Sequence, residues 1–562
     1  MRTVGRWSPI GQMGAWMGPF SDRTWPAAAS APDPSNLKPS HIVRVLWPGL
    51  LLLVLLRFTY AFAAFPNPDE AYYWLWGQHL GWSYYDHPPL HGWIQGGFAL
   101  LGHHRWVLRL PTLISSGLFV ATYYRICCYL YGDQGALAFG LLTSTIAASP
   151  LYFVYLAMAW QDQWLLTFGL LSSFGLVQFL EGYRAPQVRD GHVRDGHVRG
   201  GQARYGQLYR AALYLGLAGL CKYTAVLIGL AGLAVIATQP ALRSLFQRRA
   251  FYGAVAIALL CQLPILIWNA QNDWLSVAYY FNRSVDSGRP GFQLKPLEML
   301  GFWGLCLLIL SPFISWALWR CWRGPLRASC PDIYRALALW LFGLSTGILS
   351  GIALFSTALH YWNIQAYLLL LPLLPGFFVK SSTGEGTSLG PICLYPQWRQ
   401  RRLFQLMQGL GVLVAALLVF NAGVMPLAAI AGPDGDHESR ILFGWDQVTE
   451  QVQAQLKALP DETLLLTTDY RSAALLAYAL NNPQVLAISD RRDQFDVWAR
   501  QRALAGKPAL LLADDWHPLS AERAGQFTQL NDPIPISIQR WGRWIKTYQL
   551  YVGRGFQPLS SD

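Results

Sequence analysis

The sequence predicts a polytopic α-helical membrane protein that ends in a small soluble α/β domain. Three observations lead to this fold class: the 562 residues are 53% hydrophobic and only 13% charged, the apolar residues form runs of span length, and the last part of the chain alternates short strand-like and helical segments. Soluble domains contain about a quarter charged residues, whereas a membrane-spanning helix needs roughly 20 apolar residues. The composition therefore excludes an ordinary soluble protein.

Apolar runs of span length recur along the chain up to the tail. The continuous runs are Val45–Phe65, Trp106–Leu130, Leu137–Tyr155, Trp164–Leu180, Tyr252–Trp268, Leu297–Ala317, Ala336–Ala353, Trp362–Phe378 and Leu403–Val424. A further stretch, Tyr209–Thr238, is interrupted by Lys222 and Tyr223, which predicts two short helices instead of one. The pattern therefore predicts about eleven transmembrane helices or more.

The basic residues indicate how these helices are oriented. The net charge of +12 could by itself indicate a nucleic-acid partner, but the Lys and Arg residues are concentrated before the first span and in every second loop. The positive-inside rule makes those loops cytoplasmic. We therefore expect a multi-pass protein of the plasma (inner) membrane with no nucleic-acid partner.

The alternate loops and the tail then lie on the exoplasmic, or periplasmic, side. The tail combines strand-like runs such as Thr463–Thr468 and Ala509–Ala513 with a helical pattern at Arg471–Leu480, which is typical of a small α/β domain. The predicted division is a disordered cytoplasmic segment (1–44), a transmembrane domain (45–428) with its first external loop at 66–105, and an exoplasmic α/β domain (429–562).

The first external loop contains the most informative motif. Asn67 can cap a helix that begins at Pro68, so that Asp69 and Glu70 fall in its first turn. Two interpretations remain open for these acids. They could form a capping box, in which Glu70 bonds back to Asn67, or they could be functional carboxylates on the membrane surface.

A second motif in the same loop is Tyr85-Asp86-His87-Pro88-Pro89. Its prolines fix a turn geometry, so the loop can bring Asp86 and Asp69 into one cleft. A neighbouring carboxylate and imidazole suit a divalent cation, although both could simply bond within the turn. A third acid, Asp162, lies at the outer end of a span, where the simpler interpretation is a solvated helix end.

Several other polar residues are expected at or near membrane depth. An ionisable residue inside a span is rare and indicates function by default, and Arg57 and Lys222 are the strongest cases. The alternative for Lys222 is a side chain that snorkels from a helix end. The remaining members of this group are Arg105, Arg109, Arg283, Arg289, His360 and Asn363.

Three segments, Pro68–Trp74, Tyr85–Leu90 and Leu108–Pro111, together resemble the bacterial branch of the GT-C superfamily of glycosyltransferases. That branch is related to the dolichyl-phosphate-mannose protein mannosyltransferases and to the aminoarabinose transferase of lipid A. The similarity extends to Lys222–Ala225, Ile267–Gln271 with Asp273-Trp274, and His360–Trp362, and in the tail to Gly444-Trp445 and Asp469-Tyr470-Arg471. The resemblance begins near residue 45 and continues to the end of the chain.

The resemblance implies a GT-C fold and an inverting transfer of a sugar from a polyprenyl-phosphate donor. The acceptor would be a lipid, a glycan or a protein at the outer face of the membrane. Catalysis is assigned to Asp69, which matches the family's catalytic acid, and to its neighbour Glu70. The candidates for binding the donor phosphate are His87, Lys222, Arg109 and His360.

Asp86 matches an acid that helps to hold a metal in the lipid A enzyme. This chain has Asp-His-Pro-Pro where that enzyme has Glu-Lys-Pro-Pro, so a requirement for a divalent metal ion stays open. The further site candidates are Asp162, Tyr85, Arg57 and Asn363.

The residue types fit the implied chemistry. A carboxylate can act as the base that an acceptor hydroxyl needs, and cations or a metal ion can stabilise a departing phosphate. A transporter or lipid flippase is the main alternative, because it would also place ionisable residues and broken helices near the bilayer. A non-catalytic scaffold that presents the tail is a third class. Against transport, the sequence has no repeated halves and its acids concentrate at the outer surface.

Overall fold

The computed structural model describes residues 40–188, 199–285, 294–323, 331–381, 394–396, 398–432, 435–499 and 504–558. The chain divides into two units, Met1–Arg44 and Val45–Asp562. Only the beginning of the first helix is described in the first unit, so the predicted disorder of that segment lies outside the described residues. The second unit contains both the transmembrane helices and the tail.

Helices account for most of the described chain. They are α1 (Ser40–Ala63), α2 (Pro68–Gln78), α3 (Leu90–Ala99), α4 (Arg105–Tyr131), α5 (Gly135–Ala148), α6 (Pro150–Tyr155), α7 (Gln161–Val188), α8 (Arg199–Gly219), α9 (Val226–Thr238), α10 (Arg249–Leu260), α11 (Leu263–Gln271), α12 (Leu275–Val285), α13 (Pro296–Leu310), α14 (Pro312–Arg323), α15 (Asp332–Phe355), α16 (Trp398–Gly423), α17 (Trp445–Leu456) and α18 (Tyr470–Leu480). Shorter helical turns are Pro375–Phe378, Ala428–Ala431, His437–Arg440, Gln494–Ala499 and Ala521–Ala524.

Many of the predicted spans are bent. Within the described residues, four helical stretches are long and apolar enough to cross a membrane, and four helix pairs meet the same criterion together but bend by 44° to 111°. Pro312, which has no N–H to donate, follows the 97° break between α13 and α14. The expected interruption at Lys222 is present between α8 and α9. The number of passes, about eleven from the sequence, stays a prediction.

The run Trp362–Phe378 does not form the continuous helix that its apolar composition predicted. It consists of 3₁₀ segments at His360–Tyr367 and Leu371–Leu373 and one short helix, because Pro372 and Pro375 interrupt the helical hydrogen bonds. Four buried tyrosines donate hydroxyl hydrogen bonds of 2.9–3.0 Å to its carbonyls: Tyr152 to Ile364, Tyr123 to Leu368, Tyr334 to Leu369 and Tyr131 to Pro372. Irregular backbone at membrane depth is tolerated when protein satisfies it in this way.

The tail forms the predicted small sheet flanked by helices. Its strands are β3 (Leu464–Thr467), β4 (Leu486–Ala487), β5 (Ala509–Asp514), β6 (Gln529–Leu530), β7 (Ile534–Arg540) and β8 (Arg543–Arg554), after an isolated pair formed by β1 (Val379–Ser381) and β2 (Leu394–Pro396). The order is β4-β3-β5-β8-β6, with β7 also paired to β8. β3 is parallel to β4 and β5, whereas β8 is antiparallel to β5.

One hydrophobic core joins the first external loop to the tail. Tyr72 and Trp76 of α2 belong to the same buried cluster as Trp445 of α17 and Leu475 of α18. The helix α2 therefore packs on the soluble domain, and the acids at its first turn face the junction between this domain and the transmembrane helices.

Candidate functional site

The start of α2 has the capping box that its sequence suggested. The Asn67 side chain accepts a 2.9 Å hydrogen bond from the Glu70 N–H, and the Glu70 carboxylate accepts a 3.1 Å bond from the Asn67 N–H. The same carboxylate accepts a 2.7 Å bond from the Ala159 N–H. Glu70 is fully buried, so this acid fixes the backbone beneath the site through these hydrogen bonds.

Arg109 provides the charge that balances Glu70. Its Nε and Nη2 atoms bind the two carboxylate oxygens at 2.8 and 2.6 Å. Nη1 donates to the carbonyls of Ala61 and Ala64, and Nη2 also reaches the carbonyl of Phe65. All the N–H groups of the buried guanidinium are thus occupied. This geometry favours a structural ion pair over the phosphate-binding role predicted for Arg109 and the catalytic role predicted for Glu70.

The carboxylate of Asp69, the residue before Glu70, has a different environment. It is partly exposed at the junction, and the charged groups that influence it are Glu438, Arg471, Asp162 and Arg491. Burial, followed by repulsion from Glu438, raises the pKa of Asp69 to about 6. A base works best when its pKa lies near the operating pH, so Asp69 is better suited to proton transfer than an ordinary surface aspartate.

The rate of sugar transfer is expected to fall as the pH drops through about 6, because protonated Asp69 cannot accept a proton. Burial also raises the pKa of Asp86, to about 7, so the wild-type profile reports both acids together. In Asp86→Asn we expect kcat/KM still to fall at low pH, with the midpoint of the fall closer to pH 6. Measuring kcat/KM against pH in wild type and in this variant checks the assignment. A flat profile below pH 6 would contradict it.

The Asp86–His87 turn lies beside Asp69. Asp86 is buried, and its Oδ1 atom has no hydrogen-bond partner among the described residues. The Nδ1 atom of His87 lies 2.9 Å from the amide nitrogen of Gln161 and 3.1 Å from the hydroxyl of Tyr280. Burial, with the nearby charge of Lys222, holds the pKa of His87 well below its usual value. The imidazole is therefore neutral and can offer an N–H to an anion.

Lys222 lies buried within the protein, as predicted. Its Nζ donates a 2.7 Å hydrogen bond to Asp162 and lies 5.4 Å from the centre of the Tyr361 ring. Asp162 is also buried, which corrects the interpretation of that acid as a solvated helix end. The ammonium keeps further N–H donors for a phosphate group, since Lys has three.

Replacing Lys222 by Ala is expected to raise the KM for the lipid donor, with partial rescue by Lys222→Arg. Because the single change leaves Asp162 buried without a partner, the double variant Lys222→Met with Asp162→Asn is the matched comparison. Donor and acceptor KM values measured separately test the prediction. An unchanged donor KM in the double variant would make this ion pair purely structural.

The other candidate residues have local partners. The Arg57 Nη2 atom donates to the carbonyl of Tyr152 at 2.9 Å, and Asn363 bonds to Ser345 on α15 at 2.8 Å. Among the described residues the Arg57 Nε atom is buried without a hydrogen-bond partner, and the assignment of Arg57 and Asn363 as site candidates stays a prediction. The His360 ring contacts Tyr361, next to Lys222.

Tyr85 joins the first external loop to the tail. Its N–H donates a 2.7 Å hydrogen bond to the Gln494 side chain, and its ring packs on Tyr279 of α12. It therefore lies at the junction, where its contacts position the loop.

Several residues near Asp69 and Asp86 were missed by the sequence argument. The tail contributes Glu438, Arg471 and Arg491, whose charges act on Asp69. Tyr280 and Arg283 on α12 approach Asp86 and His87. Of these, the sequence had indicated Arg283 as a polar residue near membrane depth, and Arg471 as part of the Asp469-Tyr470-Arg471 segment of the family resemblance.

The sequence left open whether a divalent metal ion takes part. Within the described part of the chain, no group of three or more His, Cys, Asp and Glu residues is arranged to hold a metal ion. The orphaned Oδ1 of Asp86 could be one ligand, and the donor phosphate and water would have to supply the others.

The chain is similar in sequence to known proteins. The family described as dolichyl-phosphate-mannose-protein mannosyltransferase matches residues 86–188 and 198–268, which include Asp86, His87, Asp162 and Lys222. The lipid A galacturonosyltransferase RgtD of Rhizobium johnstonii is 25% identical over 423 residues, covering 74% of this chain and 77% of the relative.

Solved structures of ArnT from Cupriavidus metallidurans have the same fold. The apo structure aligns with a TM-score of 0.55 at 13% identity, covering 91% of this chain and 98% of ArnT. The structure bound to undecaprenyl phosphate aligns with a TM-score of 0.58 at 16% identity, covering 91% and 97%. The likeness extends over both the transmembrane helices and the tail.

Proposed function

We infer that this chain, a GT-C glycosyltransferase related to the dolichyl-phosphate-mannose-protein mannosyltransferases, moves a sugar from a polyprenyl-phosphate donor to an acceptor at the outer face of the membrane. The observation that carries the proposal is the position of Asp69. The charge of Asp162, which pairs with the buried Lys222, and the charges of Glu438, Arg471 and Arg491 in the tail all act on this partly exposed carboxylate.

In the proposed reaction Asp69 removes the proton from the acceptor hydroxyl as the hydroxyl oxygen attacks the anomeric carbon. The bond from that carbon to the phosphate oxygen breaks, and its electron pair leaves with the polyprenyl phosphate. One base suffices, because the phosphate departs without a proton when its charge is stabilised. The sugar is inverted in such a single displacement.

Three groups are available to stabilise the leaving phosphate. Lys222 supplies a point charge, and neutral His87 supplies a hydrogen-bond donor. Arg283 of α12 is exposed, with its guanidinium 5.0 Å from the Trp362 ring, and its charge acts on both Asp86 and His87. A divalent ion on Asp86 would supplement these three groups, and chelation tests this proposal.

The likeness to other proteins suggests the first substrates to try. RgtD is named as a lipid A galacturonosyltransferase, and one ArnT structure contains undecaprenyl phosphate. We propose an undecaprenyl-phosphate sugar as donor, beginning with the galacturonic acid form, and lipid A as the first acceptor. A glycan or a protein acceptor follows if lipid A is not modified.

The orientation is proposed from the placement of the basic loops. Residues from several segments expected outside, including Asp69, Asp162, Lys222 and Tyr361, belong to one cluster, which supports a common side for them. A reporter fused after Asp562 is expected to be active outside the cytoplasm. Activity only in the cytoplasm would overturn this topology.

The purified chain in detergent, with no ion gradient, tests the enzyme against the transporter. Formation of glycosylated lipid A and release of undecaprenyl phosphate, followed by mass spectrometry, are expected in that solution. The same assay after exhaustive chelation decides whether a metal takes part: full activity would remove the metal and leave Lys222, His87 and Arg283. A chain that moves lipid across liposomes but never transfers sugar would instead be a flippase.

A further inference from the structure

The tail places two guanidinium groups on one aromatic ring at the edge of the junction. The Tyr470 ring, at the start of α18, lies 4.7 Å from the Arg471 guanidinium and 4.8 Å from that of Arg491. Trp516 packs on the Arg471 guanidinium as well, at 4.6 Å. Arginine stacks on aromatic faces in this way and keeps its N–H edge free for planar anions.

The two arginines differ in their partners. Arg471 lies 3.3 Å from Asp469 and 4.0 Å from Glu438, so acids of the tail already balance its charge. Arg491 is exposed, and the part of the chain that the structure describes provides its side chain with no hydrogen bond and no ion pair within 4 Å. The acids whose charges act on it are Asp86 and, more weakly, Asp493. Among the described residues, therefore, the N–H groups of the Arg491 side chain have no hydrogen-bonding partner.

The loop that carries Arg491 is held from two sides. Ser489 donates a 2.6 Å hydrogen bond to Asp493 within the loop, and Arg523 donates one of the same length to the Ser489 carbonyl. On the other side, the Gln494 side chain accepts a bond from the Tyr85 N–H and its own N–H donates to the Tyr72 hydroxyl. The backbone that carries Arg491 is therefore held against the first external loop, so less of the chain has to be ordered when an anion binds.

Arg491 and Lys222 belong to different parts of the protein, but both are close to groups that act on Asp69. The charge of Asp162, which pairs with Lys222, acts on Asp69, and so do the charges of Arg471 and Arg491 from the tail. Lys222 comes from the membrane-embedded part, where the phosphate of a lipid donor arrives. The tail cations belong to the soluble domain, so they border the place that the acceptor must occupy to reach the base.

We propose that Arg491, supported by Tyr470 and Arg471, forms a subsite for an anionic group, a phosphate or a carboxylate, on the acceptor. The proposal rests on the proposed function and gives the soluble domain a role in choosing the acceptor. A guanidinium binds either group with two parallel hydrogen bonds.

The test measures binding and kinetics separately. Lipid A and the same lipid after phosphatase treatment are titrated into the full chain without donor, for wild type, Arg491→Gln and Arg491→Lys. The control is Arg492→Gln, which removes a neighbouring exposed cation of the same loop. Wild type is expected to bind the phosphorylated lipid about tenfold more tightly, a typical value for one charge-assisted hydrogen-bonding group. Arg491→Gln should lose this preference, Arg491→Lys should keep part of it, and Arg492→Gln should keep all of it.

Two results would overturn the subsite. One is a wild type that binds both lipids equally or binds neither. The other is an Arg491→Gln variant that keeps the acceptor preference but has a raised KM for the donor, which would assign Arg491 to the donor phosphate. The binding arm needs no turnover, so a chain that prefers the phosphorylated lipid but transfers no sugar would contradict the proposed reaction and not the subsite.

Discussion

Asp69→Asn is expected to lower the turnover number for sugar transfer by about 10²–10⁴-fold, the contribution typical of a positioned base. The amide has nearly the same shape as the carboxylate but cannot accept the proton of the acceptor hydroxyl. The capping box depends on Asn67 and Glu70, so α2 should form normally in the variant. Binding of donor and acceptor should change much less than turnover.

A matched control separates this chemistry from the general effect of removing an acid at a helix start. Asp446 also lies in the first turn of a helix, α17, and is exposed, but it takes no part in the charge cluster around Asp69. Asp446→Asn should keep wild-type turnover. Single-turnover rates of wild type, Asp69→Asn and Asp446→Asn test this prediction. An Asp69→Asn variant as fast as wild type would show that this residue is not the base.

Arg109→Ala is expected to destabilise the protein by about 3–5 kcal/mol, because it leaves the Glu70 carboxylate buried without its partner. The carbonyls of Ala61 and Ala64 lose a donor at the same time. The midpoint of thermal unfolding in detergent should fall markedly, together with the yield of folded protein.

The control for Arg109 is Arg105→Ala at the start of the same helix. Arg105 lies 5.0 Å from the Phe65 ring, an interaction worth about 0.5–1 kcal/mol when exposed. The double variant Glu70→Gln with Arg109→Met removes both charges and should recover part of the lost stability. A stable Arg109→Ala protein with only a raised donor KM would restore the phosphate-binding role and contradict the structural one.

The sequence was sufficient for the parts of the fold that follow from local patterns. Apolar runs predicted the transmembrane character, the interruption at Lys222 predicted two helices, and alternation in the tail predicted the small sheet. Hydropathy could not foresee that Trp362–Phe378 would form 3₁₀ segments, because composition does not tell whether neighbouring hydroxyls such as that of Tyr123 will satisfy the carbonyls that a broken helix exposes.

The site was predictable only where its residues share a motif or interrupt an apolar run. Asp69, Asp86 and His87 stood out as a loop motif, and Lys222 as a charge between apolar segments. The pairing of Glu70 with Arg109 is a long-range contact whose geometry no single segment encodes. Arg491 was missed for a related reason: its loop has no motif, and its position over Asp86 depends on how the tail packs on α2.

The anomeric configuration of the product, determined by NMR and compared with that of the polyprenyl-phosphate donor, tests most directly the claim that Asp69 acts as the base in a single displacement. Inversion is the result that this account predicts. Retention would require two displacements through a covalent glycosyl-enzyme intermediate, with a carboxylate acting as nucleophile, and would contradict the assignment of Asp69 as a base.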